Sequence, residues 1–159
     1  LSVLSRFNVL TKEFAMRKLV ALCMISASLA GCASVPMGDP ARDLTLKQFE
    51  VAPDKAGVYI YRNELIGRAV KMDVEVDGKP IGQTAAQSYL YRELTPGKHT
   101  VTAKAENIDS LEIDAQPGKL SFIWQEVKMG VVFARTKLHL VDEKTGRSGV
   151  MGTRLAEGL

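Results

Sequence analysis

The sequence predicts a mainly β domain, an antiparallel β-sandwich or open barrel of about seven to nine short strands, preceded by a signal peptide and a tether. Three observations point there. Apolar and polar residues alternate with a period of two in several stretches, most clearly over residues 70–76. The turn signals Asp77-Gly78, Thr95-Pro96-Gly97 and Gln116-Pro117-Gly118 punctuate those stretches. No long amphipathic helical pattern lies between them, which argues against a parallel α/β sheet. A chain of 159 residues has room for a single domain. Its 46% hydrophobic and 25% charged residues exclude a wholly disordered chain and a polytopic membrane protein.

Residues 1–15 read as a misassigned upstream extension, with translation beginning at Met16. The alternative is a genuinely longer n-region. Residues 16–31 read as a signal peptide. Met16-Arg17-Lys18 is its positive start, and residues 19–30 are an apolar run broken only by Ser26 and Ser28. That run is shorter than the roughly 20 apolar residues a membrane-spanning helix needs. It closes on Leu29-Ala30-Gly31-Cys32, which resembles the bacterial lipobox.

The resemblance implies cleavage between Gly31 and Cys32, diacylglycerol on the Cys32 thiol and an acyl group such as palmitate on the new amine. Several acyl chains anchor a protein stably, where one binds only marginally. In enteric lipoproteins an aspartate after the cysteine retains the protein at the inner membrane. Ala33 stands at that position, which implies sorting to the periplasmic face of the outer membrane. Cys23 would be removed with the leader, so no intramolecular disulfide is expected.

Residues 32–53 read as the lipidated N-terminus and tether, because Pro36, Gly38 and Pro40 interrupt regular structure. Leu44, Leu46 and Phe49 could form one helical turn or an edge strand. The domain is expected over residues 54–152. Residues 58–61 are its first candidate strand. In the next, Val70, Met72, Val74 and Val76 share one face and Lys71, Asp73 and Glu75 the other. Asp77-Gly78 turns the chain, and residues 81–84 return. Further strands are expected over 88–94, 98–105, 111–115, 120–129 and 131–141. In the last of these Val132, Ala134, Leu138 and Leu140 should face inward. Residues 142–152 read as a loop and 153–159 as a frayed tail.

The order Val74-Glu75-Val76-Asp77-Gly78-Lys79-Pro80-Ile81-Gly82, then residues 89–94, then Pro96-Gly97-Lys98-His99-Thr100-Val101, resembles the bacterial lipoprotein family called domain of unknown function 2846. Gln116-Pro117-Gly118-Lys119-Leu120-Ser121-Phe122 and Val141-Asp142-Glu143-Lys144-Thr145-Gly146 extend it, to roughly residues 57–146. A more distant likeness is to the PEGA surface-domain pattern, although Gln83-Thr84-Ala85-Ala86 replaces the Thr-Pro pair common there. The resemblance implies a sandwich-like module on a lipoprotein. It implies no reaction and no catalytic residue.

The residues themselves point away from chemistry. His99 begins an inward-facing run beside a turn, where a structural hydrogen bond is the expected use. His139 shares a strand face with Arg135 and Lys137. Neither has a second histidine at metal-ligand spacing, so no metal and no cofactor is indicated. Asp73, Glu75 and Asp77 read as the wet side of a half-exposed strand. Ser88, Ser110 and Ser121 lack a nucleophile-elbow context. Tyr59, Tyr61, Tyr89 and Tyr91 could form an aromatic binding surface or, as cross-strand pairs, an edge of the core. Trp124 is expected in the core.

Four basic residues and one acid precede Cys32. Without them the 21 basic and 18 acidic residues fall to 17 of each, so no basic field for nucleic acid remains. The expectation is a non-enzymatic envelope lipoprotein, held to the membrane by lipid, with a structural or protein-interaction domain. The alternative is a ligand-binding module for a cell-wall or small-molecule partner.

Overall fold

The computed structural model describes residues 34–159; Gly31, Cys32, Ala33 and the leader lie outside the described residues. A short helix, α1 (Pro40–Leu46), comes first. It forms where the tether was expected because Asp39 caps it, accepting the N–H groups of Ala41 and Arg42, and Pro40 suits the first turn. Nine strands follow among the described residues. They are β1 (Ala56–Arg62), β2 (Met72–Val76), β3 (Lys79–Thr84), β4 (Ser88–Leu94), β5 (Gly97–Lys104), β6 (Ile108–Ala115), β7 (Leu120–Met129), β8 (Ala134–Val141) and β9 (Arg154–Leu155). A second helix, α2 (Glu143–Met151), lies between β8 and β9.

The strands form two sheets, ordered β8-β7-β1-β4-β9 and β3-β2-β5-β6, without closing into a barrel. The expected sandwich is therefore present, but it is not wholly antiparallel. β1 pairs with β7 in parallel, with Tyr59 opposite Phe122, and β4 pairs with β9 in parallel. The short-range turn signals describe only the hairpins; the parallel pairs join segments far apart in the chain.

β1 is buried along its whole length because it is covered on both faces. Val58 and Ile60 meet Val74, Val101, Ala103 and Ile113 between the sheets. Tyr59 and Tyr61 point the other way, into a second core with Phe122, Val150 and Leu155, which Leu46 and Phe49 partly cover. The molecule is thus a sandwich with a helical layer on one face.

Residues 142–152 are mostly helix rather than loop. Asp142 caps α2 by accepting the Thr145 N–H at 3.0 Å. Gly146 and Gly149 weaken helix propensity, which is why the sequence reads as a loop there. Their function is close approach: a Cβ at Gly146 would run into the Phe122 ring, and one at Gly149 into the Tyr61 ring.

Both termini of the described chain belong to the domain, contrary to the expected tether, tail and 54–152 boundary. Val35 is buried, Met37 pairs with Ala156, and Gly158 pairs with Gly82 of β3. Residues 154–159 thereby stitch one sheet to the other. Two further expectations change. β8 begins at Ala134, so Val132 lies in the preceding turn, 75% exposed. Leu138 is buried, but Leu140 lies near the strand's end and is 56% exposed. Trp124 is half-buried at the margin of the outer core, stacked on His139 at 5.1 Å between ring centres.

Candidate functional site

The strand directions bring four connections to one end of the sandwich: residues 63–71, 85–87, 105–107 and 130–133. This end carries an apolar crown. β7 and β8 turn at Met129-Gly130-Val131-Val132-Phe133, where the four large side chains are 70–90% exposed. Leu65 and Ile66 on a neighbouring connection, and Ile108 at the start of β6, are also more than half exposed. Single exposed apolar residues are ordinary, and several gathered at one end of a domain make that end a candidate contact surface.

The turn is braced from below. The Glu106 carboxylate accepts the backbone N–H groups of Val131 at 3.0 Å, Val132 at 3.0 Å and Phe133 at 2.7 Å. These bonds, the one from Phe133 foremost, hold the carboxyl below its ordinary range. The Glu106 N–H donates to the Ala134 carbonyl. Gly130 has no room for a Cβ, which would meet the Phe133 carbonyl and the Glu106 carboxylate.

The adjoining connection is held by Arg62, which is wholly buried. Its guanidinium donates to the carbonyl of Val70 at 2.9 Å and of Gly67 at 2.8 Å. Burial pushes its pKa down, against the nearby Glu64 carboxylate. Glu64 in turn accepts the Val127 N–H at 3.0 Å. Below this cage lies a polar chain between the sheets, in which Thr84 donates to Gln125 at 2.7 Å and Gln125 to Thr136 at 3.2 Å. The crown therefore rests on a largely hydrogen-bonded polar base, in which the buried Arg62 Nε alone of these side-chain groups lacks a partner.

The residues singled out by sequence lie elsewhere. Tyr59, Tyr61 and Tyr89 are at most 2% exposed and Tyr91 is half-buried, so they form no binding surface. They are cross-strand pairs, Tyr59 with Tyr91 and Tyr61 with Tyr89. The Tyr59 hydroxyl donates to the Leu46 carbonyl at 2.6 Å and the Tyr89 hydroxyl to Asp43 at 2.7 Å. The tyrosines thus fasten α1 to the sheet, and burial raises the pKa of both hydroxyls.

His99 sits near the other end of the sandwich. Its Nδ1 is 2.6 Å from Asp77 and its Nε2 2.8 Å from the Thr95 carbonyl. His139 lies 2.7 Å from Glu126. Asp73 accepts from the Gln83 amide at 2.8 Å, and Glu75 pairs with Lys104. Asp73, Glu75 and Lys104 also line a cleft of about 670 Å³, together with Val35, Pro36 and Pro80. Ser88 is buried and hydrogen-bonded to Ala85. Among the described residues no group of three or more His, Cys, Asp or Glu is placed to hold a metal ion. No helix there is long and apolar enough to cross a membrane. The crown carried one legible signal, a glycine inside the apolar run 129–133, which marks a turn rather than a continuous strand.

The model of a family described as "Protein of unknown function (DUF2846)" matches residues 52–137, more than half of the chain. This chain belongs to the DUF2846 family. A Haemophilus influenzae relative described as "Uncharacterized protein" is 34% identical over 146 residues, covering 90% of this chain and 84% of its own length. No solved structure matches the chain. The DUF2846 match takes in β1–β7, the whole crown and the first residues of β8. It stops before α2 and β9, which complete the outer core in this member of the family.

Proposed function

We propose that this DUF2846 protein is an envelope lipoprotein, anchored through lipid on Cys32, whose β-sandwich works by contact rather than catalysis. The observation that carries the contact reading is the apolar turn 129–133, exposed at its side chains and braced at its backbone by Glu106. A group held in one shape loses little entropy on binding, so a rigid exposed apolar tip favours association. The anchoring reading is supported by Leu29-Ala30-Gly31-Cys32 after its apolar run, and the outer membrane by Ala33. The non-catalytic reading is supported by the histidines. Both nitrogens of His99 are engaged, and His139 is bonded to Glu126 and stacked on Trp124.

The test has separate arms. Labelled palmitate should mark the wild type and not Cys32→Ala; equal labelling refutes anchoring at Cys32. In an enteric host Ala33→Asp should move the protein from outer to inner membrane fractions. In a strain whose deletion has an envelope phenotype, Phe133→Ser with Val132→Ser should fail to complement at normal abundance. His99→Ala, His139→Ala and Asp73→Asn should complement. The reverse pattern would point to a chemical site. A second reading, a small-ligand module, is favoured by the cleft beside Asp73, Glu75 and Lys104.

A further inference from the structure

We infer that the crown docks onto the surface of a bilayer leaflet rich in anionic phospholipid, with residues 129–133 inserted among the acyl chains. The inference gives an occupant to the contact site just proposed, and it does not depend on lipid at Cys32. Three features favour a bilayer. The tip side chains Met129, Val131, Val132 and Phe133 are 70–90% exposed, and a fluid surface accepts such a tip without a matching pocket. The tip brings its own partners for its backbone donors: the N–H groups of Val131, Val132 and Phe133 all bond to Glu106. Backbone donors that are already bonded enter an apolar medium at lower cost than free ones.

The third feature is charge. Lys128 and Arg135 pair across the two strands just below the turn, and Arg68 and Lys71 lie on the adjoining connection. All four are exposed, and Arg68, Lys71 and Arg135 make no ion pair among the described residues. Glu64, Glu106 and Glu126 also lie at this end, bonded in turn to the Val127 N–H, the tip backbone and Lys128. The collar's three cations outside ion pairs, with an apolar tip, complement acyl chains beneath anionic headgroups. The same collar disfavours a second copy, because two-fold pairing of crowns would set like charges face to face. The crown is also distinct from the segment by which the chain joins the domain. Met37 pairs with Ala156 antiparallel, alongside β4 and β9, so the chain before Met37 leads away from the crown.

The test uses the full chain with Cys23→Ser and Cys32→Ser, so that lipid anchoring plays no part. An environment-sensitive fluorophore is placed on Val132→Cys at the crown or on Lys119→Cys at the opposite end. On vesicles of phosphatidylglycerol and phosphatidylcholine, the probe at 132 should shift to the blue and be quenched by acyl-chain quenchers. The probe at 119 should stay aqueous. Partitioning should be roughly tenfold weaker on phosphatidylcholine alone, and should fall similarly with Arg68→Gln plus Arg135→Gln. A probe at 132 that stays aqueous on anionic vesicles overturns the inference. So does an equal shift at both positions, or a shift without vesicles that grows with protein concentration, the mark of self-association. A wild type that takes up no palmitate, or no more than Cys32→Ala, would refute the anchor while leaving this result untouched.

Discussion

The side chain of Asn107 serves Thr136 as a neighbouring strand would: its Oδ1 accepts the Thr136 N–H at 2.8 Å, and its Nδ2 donates to the Thr136 carbonyl at 3.0 Å. Asp109 continues the imitation, accepting the Leu138 N–H at 2.7 Å. β8 is the edge of its sheet, and its free backbone groups would otherwise be open to pairing with another chain. Side chains at the start of β6 close that edge and tie the two sheets together.

Asn107→Ala should therefore destabilise the domain by about 1–3 kcal/mol, since Thr136 is buried and would lose partners for both backbone groups. It should also promote self-association through β8. Denaturant unfolding gives the first quantity and light scattering on partial unfolding the second. Unchanged stability would mean that water replaces the amide at no cost.

The glycines of α2 make a second prediction. Gly149→Ala should cost about 1–3 kcal/mol, because the new methyl would collide with the Tyr61 ring. That outcome opposes the gain of about 1 kcal/mol expected from helix propensity alone. Gly152→Ala, where a Cβ finds its nearest neighbour at 3.6 Å, should change stability by less than about 0.5 kcal/mol. Thermal unfolding of the pair separates packing from propensity.

The His99–Asp77 pair should confer a stability that depends on pH. Both partners of the imidazole are acceptors, so its charged form, which donates from both nitrogens, is favoured and its pKa is raised, chiefly by Asp77. The Asp77 carboxyl is lowered, chiefly by His99 and then by the Thr100 N–H. A raised histidine stabilises below its unfolded pKa of about 6.5 and loses that contribution as pH rises through the folded value. A lowered carboxyl stabilises above about 3.8 and loses its contribution as pH falls. The advantage of wild type over His99→Gln should thus be greatest between about pH 4 and 6.5 and shrink towards pH 9. Urea midpoints across that range measure it; a flat difference would show that the contact is not charge-assisted.

Much of the sandwich was legible in the chain. The alternation at 70–76 and the turns at Asp77-Gly78 and Thr95-Pro96-Gly97 are local, and local chemistry sets hairpins. The buried ends of the domain were not legible. Val35, Leu155 and Ala156 sit among prolines, glycines and polar residues, and their burial comes from strands distant in sequence. The tyrosines were ambiguous for the same reason: alternation shows that Tyr59 and Tyr61 share a face, not that α1 and α2 cover it.

The crown divides along the same line. That residues 129–133 are apolar and interrupted by glycine is written in the chain. That they form an exposed turn follows from the register of β7 with β8 and from Glu106, more than twenty residues upstream. By itself the sequence determined the strand periods, the hairpin turns and the match to the Leu-Ala-Gly-Cys pattern, because each depends on neighbours along the chain. Only the tertiary structure decided the parallel pairing of β1 with β7, the helix on the tyrosines and the bracing of the crown. Those depend on which distant backbone and side-chain groups can be satisfied together in one compact arrangement.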